Sequence, residues 1–482
     1  MAEKVTQVVI LGAGPGGYVA AIRAAQLGKK VVVVERESIG GVCLNVGCIP
    51  SKALISAGTL KEKIEHASTM GLKVAGPVEV DLATLIGWKA SIVKKLTGGI
   101  GQLFKAHGIE TVFGSGKLAG AGRVEVTGKE GVTLVKCEDV IVATGSRPIE
   151  IPGFKFDEQD VWSSTGALAP ARIPKRLLVI GGGYIGLELG IFYSKIGSEV
   201  IVVEATPSIL PGTDPELAQV VARQLQKRKV AVRLATKALG YERKGGVLAV
   251  TVEKDGQKEV LEVEQILSTV GRRPNSENLG LETVGVKADA RGFLVVDAQR
   301  RVVDTAGKSS PHLFAIGDIA GQPMLAHKAS HEALVAAAAI AGDQSAAFDP
   351  VAIPAVIFTD PEIASVGLTE AQAKEKGLEV VVGKFPFAAS GRAMTRAETD
   401  GFVKVVADKK TDVVLGVHMV GPDVSELIAE AGLALEMGAT VEDLASTIHS
   451  HPTLPETLME AAEAVHGMAV HLAAPRAGGA RR

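Results

Sequence analysis

The sequence predicts an α/β fold built around two copies of one parallel βαβ unit. In each copy an apolar strand leads into a glycine-rich turn and a helix, and a second apolar strand ends at a glutamate. The copies run from Gly12 to Glu35 and from Gly181 to Glu204, a separation of 23 positions in both. Strands that are apolar throughout are typical of parallel sheets buried on both faces. We therefore expect two Rossmann-like domains, followed by a C-terminal α+β domain.

The composition excludes several classes of protein. The chain has 482 residues, enough for several domains with cores of their own. Its formal net charge is −2 and only 4% of its residues are aromatic, so we expect no nucleic-acid partner. It has three cysteines and no apolar run near the ~18 residues that a membrane span needs. The N-terminus shows no secretory or transit pattern, so we expect a cytoplasmic protein without a membrane span.

The first glycine-rich turn has the pattern of a dinucleotide site, G-x-G-x-x-G between a strand and a helix. Gly12 permits the tight turn, Gly14 lets the backbone approach a pyrophosphate, and Gly17 lets the helix pack closely on the strand. The pyrophosphate then lies at the helix N-terminus, where N–H groups and the helix dipole favour anions. Glu35 can accept hydrogen bonds from a ribose.

The second copy repeats the pattern with Gly181, Gly183 and Gly186. Glu204 ends its second strand, where a carboxylate pairs with a free ribose 2′-OH and repels a 2′-phosphate. This site should therefore take NAD rather than NADP. A hydride leaving a nicotinamide needs an acceptor, and a flavin at the first site is the obvious one.

The remaining segments are less regular. Between the copies we expect a β-rich region with glycine-rich turns, which ends in a strand over residues 140–142. Beyond residue 350, strand-like runs alternate with helices predicted over residues 425–437 and 456–466.

A pair of cysteines, Cys43 and Cys48, lies in a glycine-rich segment that continues into Pro50. Proline suits the first turn of a helix, and a thiolate at a helix N-terminus is stabilised, so we expect a lowered thiol pKa. Zinc would need four ligands, and the remaining cysteine, Cys137, is distant in sequence, so we expect no metal. A merely structural pair is the other alternative, which a reducing compartment disfavours. The pattern favours thiol–disulfide exchange.

With these motifs the chain, up to about residue 470, resembles the flavin disulfide reductase family, and within it the dihydrolipoamide dehydrogenases. The segment around Cys43 and Cys48 matches the family's redox-active disulfide nearly residue for residue. The resemblance implies that Cys43 exchanges with a dithiol substrate and that Cys48 lies against the flavin. It implies an enzyme that oxidises protein-bound dihydrolipoamide to lipoamide and passes the electrons through FAD to NAD.

The resemblance also implies which residues contact the cofactors. The implied FAD contacts are Gly12, Gly14, Gly17, Glu35, Lys52, Gly116, Thr144, Gly145, Asp318 and Ala326. The implied NAD contacts are Gly181, Gly183, Gly186, Glu188, Glu204 and Gly271. Glu188 is the implied acidic partner of Lys52 at the nicotinamide.

The last chemical motif surrounds His451. Taken alone, Thr453 and Glu456 fit a capping box that opens the final helix, and His451 is then an ordinary loop histidine. The resemblance instead implies that His451 is the acid/base, oriented by Glu456, because a dithiol must lose a proton before it attacks. His449 competes for this role, but its spacing to Glu456 disfavours it. The family commonly has serine where Pro455 stands, which should shift the helix start slightly.

The resemblance implies a division into domains and a set of partners. The expected domains are 1–149 (FAD-binding), 150–277 (NAD-binding), 278–347 (central, completing the FAD site), 348–470 (dimerisation) and 471–482 (a disordered tail). The expected partners are a second copy of the chain, in a homodimer, and a lipoyl-carrying acyltransferase or glycine-cleavage carrier protein.

Other members of the family remain as alternatives. A glutathione-reductase-like enzyme would use NADP and would want arginine where Glu204 stands. A mercuric reductase would carry cysteines at its C-terminus, and this chain has none there. A pyridine nucleotide transhydrogenase is disfavoured by the intact cysteine pair. A non-catalytic subunit, from a different class, would show no flavin spectrum that bleaches with dithiol.

Overall fold

A computed structural model describes residues 2–473 of the chain, which form both strands and helices. The predicted disordered tail, 471–482, therefore lies almost wholly outside the described residues. The strands are β1 (Ala2–Val5), β2 (Val8–Leu11), β3 (Val31–Glu35), β4 (Glu110–Phe113), β5 (Ser115–Leu118), β6 (Arg123–Gly128), β7 (Gly131–Lys136), β8 (Asp139–Val142), β9 (Ser146–Pro148), β10 (Val161–Trp162), β11 (Arg176–Ile180), β12 (Glu199–Val203), β13 (Ala231–Arg233), β14 (Lys237–Lys244), β15 (Val247–Lys254), β16 (Gln257–Val263), β17 (Gln265–Ser268), β18 (Arg272–Pro274), β19 (Arg301–Val303), β20 (Ser309–Ala315), β21 (Ala355–Ile357), β22 (Glu362–Gly367), β23 (Val380–Pro386), β24 (Phe402–Asp408) and β25 (Val414–Gly421). The α-helices are α1 (Pro15–Gln26), α2 (Gly41–Val46), α3 (Cys48–Glu65), α4 (Leu82–Ala106), α5 (Ser164–Ala167), α6 (Tyr184–Lys195), α7 (Pro215–Lys227), α8 (Ala326–Ile340), α9 (Glu370–Glu375), α10 (Gly391–Thr395), α11 (Val424–Glu436), α12 (Val441–Ser446) and α13 (Glu456–Val465).

The chain divides into two units, each made of two segments. The first unit comprises residues 1–174 and 265–349, and the second comprises residues 175–264 and 350–482. Each predicted βαβ copy lies within one unit, the first copy in the first unit and the second copy in the second.

A six-stranded sheet of order β19-β20-β8-β2-β3-β4 forms the centre of the first unit. Strand β2 lies between β8 and β3 and is parallel to both. Because side chains alternate along a strand, Val8 and Ile10 pack into one apolar cluster with α1 and α8, while Val9 and Leu11 pack into another on the opposite face. Both faces of the sheet are therefore covered, as the apolar runs predict.

The second unit carries the second βαβ copy, in which β11, β12 and β13 pair in parallel. Its C-terminal part is a five-stranded antiparallel sheet of order β21-β22-β25-β24-β23. Residues of α11, α12 and α13 join residues of this sheet in one buried cluster. The predicted α+β character of the C-terminal region is confirmed.

The prediction of a β-rich region between the copies is wrong for its first part. Two long helices, α3 and α4, precede the strands β4 to β7. Apolar residues recur at helical spacing in α4, as at Leu96, Ile100 and Phe104, and Ile100 and Phe104 are buried. The side chain of Asp81 caps this helix by accepting a hydrogen bond from the amide of Thr84.

One described segment, Gly41–Glu65, has a length and a mean hydropathy (1.2) that would suffice for a membrane span. This is weak evidence, since core helices of proteins without a membrane span share these properties. The backbone also breaks within the segment, because α2 ends at Val46 and α3 begins at Cys48.

Candidate active site

The first glycine-rich turn allows no side chain at two of its positions. Gly12 has a φ of +103°, and a Cβ there would lie 2.4 Å from the carbonyl oxygen of Ala143. A Cβ on Gly17 would lie 1.9 Å from the carbonyl oxygen of Gly12. Glycine at both positions therefore lets α1 begin directly above β2, with Gly14 as its N-cap residue.

The carboxylate of Glu35 closes this turn from the end of β3. One oxygen accepts a hydrogen bond from the amide of Ala13 at 2.7 Å, and the other accepts one from the amide of Glu37 at 2.7 Å. Glu35 is buried, with 8% of its surface exposed. The amide of Ser38 also donates to this second oxygen, at 3.3 Å. A carboxylate offers about four lone-pair directions, so these three bonds leave acceptor capacity for one ribose hydroxyl.

The cysteine-bearing segment is joined to the same turn by its backbone. The amide of Gly40 donates to the carbonyl of Ala13 at 2.8 Å. Gly41 has a φ of +58°, and a Cβ there would lie 2.6 Å from the Cα of Gly14. The two glycines that precede the cysteine motif thus bring it against the turn that faces the proposed pyrophosphate.

The two cysteines flank the break between α2 and α3. Cys43 is half-buried in α2, whereas Cys48 is exposed and is the first residue of α3. The pKa of the Cys43 thiol is raised, first by its hydrogen bond to Cys48 and then by burial, while Lys52 acts in the opposite direction. Cys48, not Cys43, occupies the helix start, so the lowered pKa expected for a thiol at that position stays a prediction.

Three further segments of the first unit meet at Thr144. Its hydroxyl donates to the carbonyl of Asn275 at 2.8 Å, and the side-chain amide of Asn275 donates to the carbonyl of Thr144 at 2.9 Å. The amide of Asn275 also donates to the carbonyl of Gly145 at 2.9 Å. Next to them, the hydroxyl of Ser146 donates to the carboxylate of Asp318. The structure thus brings together Thr144, Gly145 and Asp318, and their contact with FAD stays a prediction.

Sequence reasoning missed Asn275 and Ser146 as residues that hold this site. Both act across more than 120 positions of sequence, and no local pattern indicates such a pairing.

The residues expected on the adenine side border a cavity of about 250 Å³. Its lining includes Leu11, Val34 and Gly116, and a Cβ on Gly116 would lie 2.9 Å from the side chain of Leu11. Polar residues, among them Arg36 and Glu277, complete the lining. A cavity with apolar and polar walls, beside the glycine turn and Glu35, fits the adenosine half of FAD. Ala326, another expected contact, is the first residue of α8.

The second glycine-rich turn has the same construction as the first. The carboxylate of Glu204 accepts from the amide of Gly182 at 2.6 Å and from the amide of Thr206 at 2.7 Å. Gly181 has a φ of +105°. A Cβ on Gly183 would meet nothing within 4 Å, so the start of α6 opens onto free space. The open helix start fits the pyrophosphate of NAD. A carboxylate rather than a basic side chain at position 204 fits a ribose without a 2′-phosphate.

Two residues expected to contact NAD, Glu188 and Gly271, are placed differently from the glycines of the second turn. Glu188, on α6, is buried, and its carboxylate accepts a hydrogen bond from the amide of Phe358 at 2.9 Å. Gly271 lies in the first unit, whereas Gly181, Gly183 and Gly186 lie in the second. Lys52 likewise lies in the first unit, so its predicted pairing with Glu188 stays a prediction.

His451 and Glu456 form the pair that the resemblance implies. Nδ1 of His451 lies 2.8 Å from Oε1 of Glu456, and the other oxygen of Glu456 accepts from the amide of Thr453 at 2.7 Å. Burial raises the pKa of Glu456, but the bonds from Thr453 and His451 outweigh it and lower the pKa overall. The His451 side chain is 79% exposed, so its imidazole is presented outward.

The competing histidine has a different environment. His449 has a side chain only 5% exposed, and its Nε2 lies 2.8 Å from a carboxylate oxygen of Glu430. Burial in this pair leaves it without access to a substrate.

The alternative capping box forms only in part. The carboxylate of Glu456 accepts from the amide of Thr453, which is one of the two bonds of such a box. The hydroxyl of Thr453 instead donates to the carbonyl of Ser450, and α13 begins at Glu456 with Pro455 as its N-cap residue. Glu456 therefore holds both Thr453 and His451.

Comparison with known proteins agrees with this construction. Residues 6–333 match the family model "Pyridine nucleotide-disulphide oxidoreductase", and residues 353–462 match the dimerisation domain of that family. The chain belongs to the pyridine nucleotide-disulphide oxidoreductase family. Its members use FAD and NAD(H), so the predicted flavoprotein oxidoreductase class and both cofactors are confirmed.

Relatives from several organisms match over nearly the whole chain. A dihydrolipoyl dehydrogenase of Geobacillus stearothermophilus is 50% identical, with 97% of each chain covered. One of Thermus scotoductus is 51% identical, with 97% of this chain and 99% of the relative covered. Among solved structures, LpdA of Mycobacterium tuberculosis superposes with a TM-score of 0.87 at 28% identity, covering 95% of this chain and 99% of LpdA. The predicted resemblance is therefore confirmed.

Substituting Gly17 by alanine should abolish stable FAD binding. The added methyl would need the space of the Gly12 carbonyl, so α1 must move away from β2 and distort the turn. We expect a loss of stability of about 1–3 kcal/mol and protein purified largely without flavin. Flavin absorbance per chain and thermal unfolding measure both effects.

The matched control is Gly98→Ala, in α4, where a Cβ would meet nothing within 4 Å. Alanine is favoured over glycine in a helix by about 1 kcal/mol, so this variant should keep its flavin and its stability. Normal flavin content in Gly17→Ala would contradict the packing argument.

Proposed function

We propose that this chain is a dihydrolipoyl dehydrogenase, which oxidises dihydrolipoamide carried by a partner protein and reduces NAD. The observation that carries the proposal is the thiol pair at the start of α3, held by Gly40 and Gly41 against the first dinucleotide turn. Such a pair exchanges electrons as a dithiol and disulfide. The near full-length match to dihydrolipoyl dehydrogenases of several organisms supports this choice within the family.

The chain's own sulfur chemistry follows from the positions of the two cysteines. A thiolate of the substrate attacks Sγ of Cys43 in the disulfide, the bond to Cys48 breaks, and Cys48 leaves as a thiolate. The second substrate thiolate then attacks the substrate sulfur of this mixed disulfide, which closes the lipoamide ring and releases Cys43. The product is oxidised by two electrons, and the cysteine pair is left reduced. FAD, when bound, would relay these electrons to NAD.

His451 is the base in this proposal. Glu456 accepts a hydrogen bond from Nδ1 of His451, so Nε2 carries the lone pair that takes the substrate's thiol proton.

The cofactor contacts follow the two glycine turns. Around FAD we propose Gly12, Gly14, Gly17, Glu35, Lys52, Gly116, Thr144, Gly145, Asp318 and Ala326. Around NAD we propose Gly181, Gly183, Gly186, Glu188, Glu204 and Gly271.

The assembly and location are part of the same proposal. The match to a dimerisation domain over residues 353–462 supports a homodimer. The lipoyl group would arrive on an acyltransferase or a glycine-cleavage carrier protein of a 2-oxo acid dehydrogenase-type complex, in the cytoplasm. A direct assay compares dihydrolipoamide with NAD against glutathione with NADP. Faster turnover of the second combination would favour the glutathione-reductase-like alternative instead.

Either cysteine substitution should stop dithiol oxidation while the flavin stays bound. Cys43→Ser and Cys48→Ser each leave a single sulfur, which cannot close a disulfide, so dihydrolipoamide-dependent NADH formation should fall by at least about a thousandfold. Cys137→Ser is the matched control, since Cys137 lies outside the pair. Full activity in Cys48→Ser would rule out the assignment.

The double variant Glu204→Gln/Ala205→Arg should shift the preference from NAD towards NADP. Removing the charge weakens the bond to the 2′-OH, and the arginine on the exposed neighbouring position can pair with a 2′-phosphate. We expect kcat/KM for NAD to fall about tenfold or more and that for NADP to rise. Ala205→Arg alone serves as the control. A wild-type enzyme that already prefers NADP would disprove the role of Glu204.

Mixed dimers should reveal a site shared between two chains. His451 is more than 400 positions from Cys48, in the segment that matches the dimerisation domain. A Cys48→Ser chain and a His451→Gln chain should each be nearly inactive alone. After co-refolding at equal amounts, about a quarter of wild-type activity should return, because half of the dimers then have one intact site of two. Heterodimers that form but stay inactive would place both groups in one chain.

A further inference from the structure

A buried cluster of charged side chains lies behind the turn that carries Asp318. Glu332, on α8, is 0% exposed. Its carboxylate pairs with Arg300 at 2.8 Å and with Lys328 at 2.9 Å, and both cations are themselves largely buried. None of these three residues is among the proposed cofactor contacts.

The cluster holds the backbone of the turn at both of its ends. The second oxygen of Glu332 accepts a hydrogen bond from the amide of Gly317 at 2.7 Å. The ammonium of Lys328 donates to the carbonyl of Gly321 at 3.1 Å. Gly317 has a φ of +76°, a conformation that the rest of the turn must maintain. Asp318 lies between the two anchored residues, and its carboxylate accepts from Ser146.

Stability alone is a weak reason for such a cluster. Buried ion pairs lose hydration, and apolar side chains of similar size often stabilise a core equally well. What an apolar replacement cannot supply is an acceptor for the Gly317 amide and a donor for the Gly321 carbonyl. The cluster is therefore suited to fixing one conformation of this turn.

We propose that Glu332, supported by Lys328 and Arg300, is a positioning residue for FAD. It fixes the turn from Gly317 to Gly321 so that Asp318 is presented to the cofactor without reorganisation. This inference rests on the proposed role of Asp318 in FAD binding.

The test measures the Kd of the apoprotein for FAD by quenching of flavin fluorescence, together with thermal unfolding of the apoprotein. In Glu332→Gln the amide group faces two buried cations, and the turn loses its charged anchor. Charged hydrogen bonds of this kind correspond to about tenfold or more in Kd, so we expect a rise of at least that size. Lys328→Met, which keeps the aliphatic stem, should raise the Kd in the same direction.

The matched control is Asp139→Asn. Asp139 is also a buried carboxylate of the first unit, and one of its oxygens lies 3.0 Å from Nδ1 of His312 on another part of the central sheet. This variant should lose stability but keep the wild-type Kd. If all three variants raise the Kd in proportion to their loss of stability, the role of Glu332 is merely structural and the inference fails.

A double-variant cycle separates the inference from the proposed function. If Glu332 acts through Asp318, Glu332→Gln should have little effect on the Kd in an Asp318→Ala background. Additive effects would overturn the inference and leave FAD binding intact. An Asp318→Ala apoprotein with wild-type Kd would overturn both the inference and the role of Asp318. Should Glu332→Gln fail to fold, Lys328→Met gives the same cycle, and an unchanged Kd in that variant would overturn the proposal.

Discussion

The bond between a strand-end glutamate and the amide of a glycine-rich turn is the contact on which both dinucleotide sites depend. Glu35 accepts from Ala13 at 2.7 Å, and Glu204 accepts from Gly182 at 2.6 Å. Each bond ties the end of the second strand to the start of the helix, which sets the direction of the helix N-terminus. The same carboxylate keeps lone pairs for a ribose. One glutamate carboxylate thus serves both the structure of the turn and the recognition of the nucleotide. A substitution that is meant to change recognition alone must therefore keep a hydrogen-bond acceptor at this position.

The same type of bond recurs at three other places near candidate site residues. A glutamate carboxylate accepts from a backbone amide in the pairs Glu188–Phe358, Glu332–Gly317 and Glu456–Thr453. A charge-assisted bond of this kind is stronger than one between neutral groups. At these three places it fixes a loop or a short 3-10 turn rather than a strand or an α-helix. In the last two pairs, the second oxygen holds another group, a cation or an imidazole. In these sites, glutamate carboxylates therefore hold in place backbone segments that lie outside the strands and α-helices.

The sequence predicts the parts of this construction that are local. Both βαβ units could be read from apolar runs, glycine spacing and a terminal glutamate, since all of these lie within 23 positions. The pairing of Asn275 with Thr144 could not, because a bond across 131 positions leaves no periodic pattern. The anchoring of Gly317 by Glu332 spans only 15 positions, but no motif or periodicity indicates it. The error over α4 has a different cause, since glycines at its centre resemble turns although the apolar spacing is helical.

The pair of His451 and Glu456 shows how the same arrangement sets a proton position. Because one oxygen of Glu456 is occupied by the amide of Thr453, the other is directed at Nδ1 of His451. A carboxylate is a stronger acceptor while it is ionised, and the lowered pKa of Glu456 extends the ionised range towards acid. A group with a lowered pKa in the folded state contributes stability above its ordinary range, near pH 4, and loses it as the pH falls through the lowered value. Because this carboxylate accepts from Nδ1, Nε2 is the nitrogen that can accept a proton from a thiol.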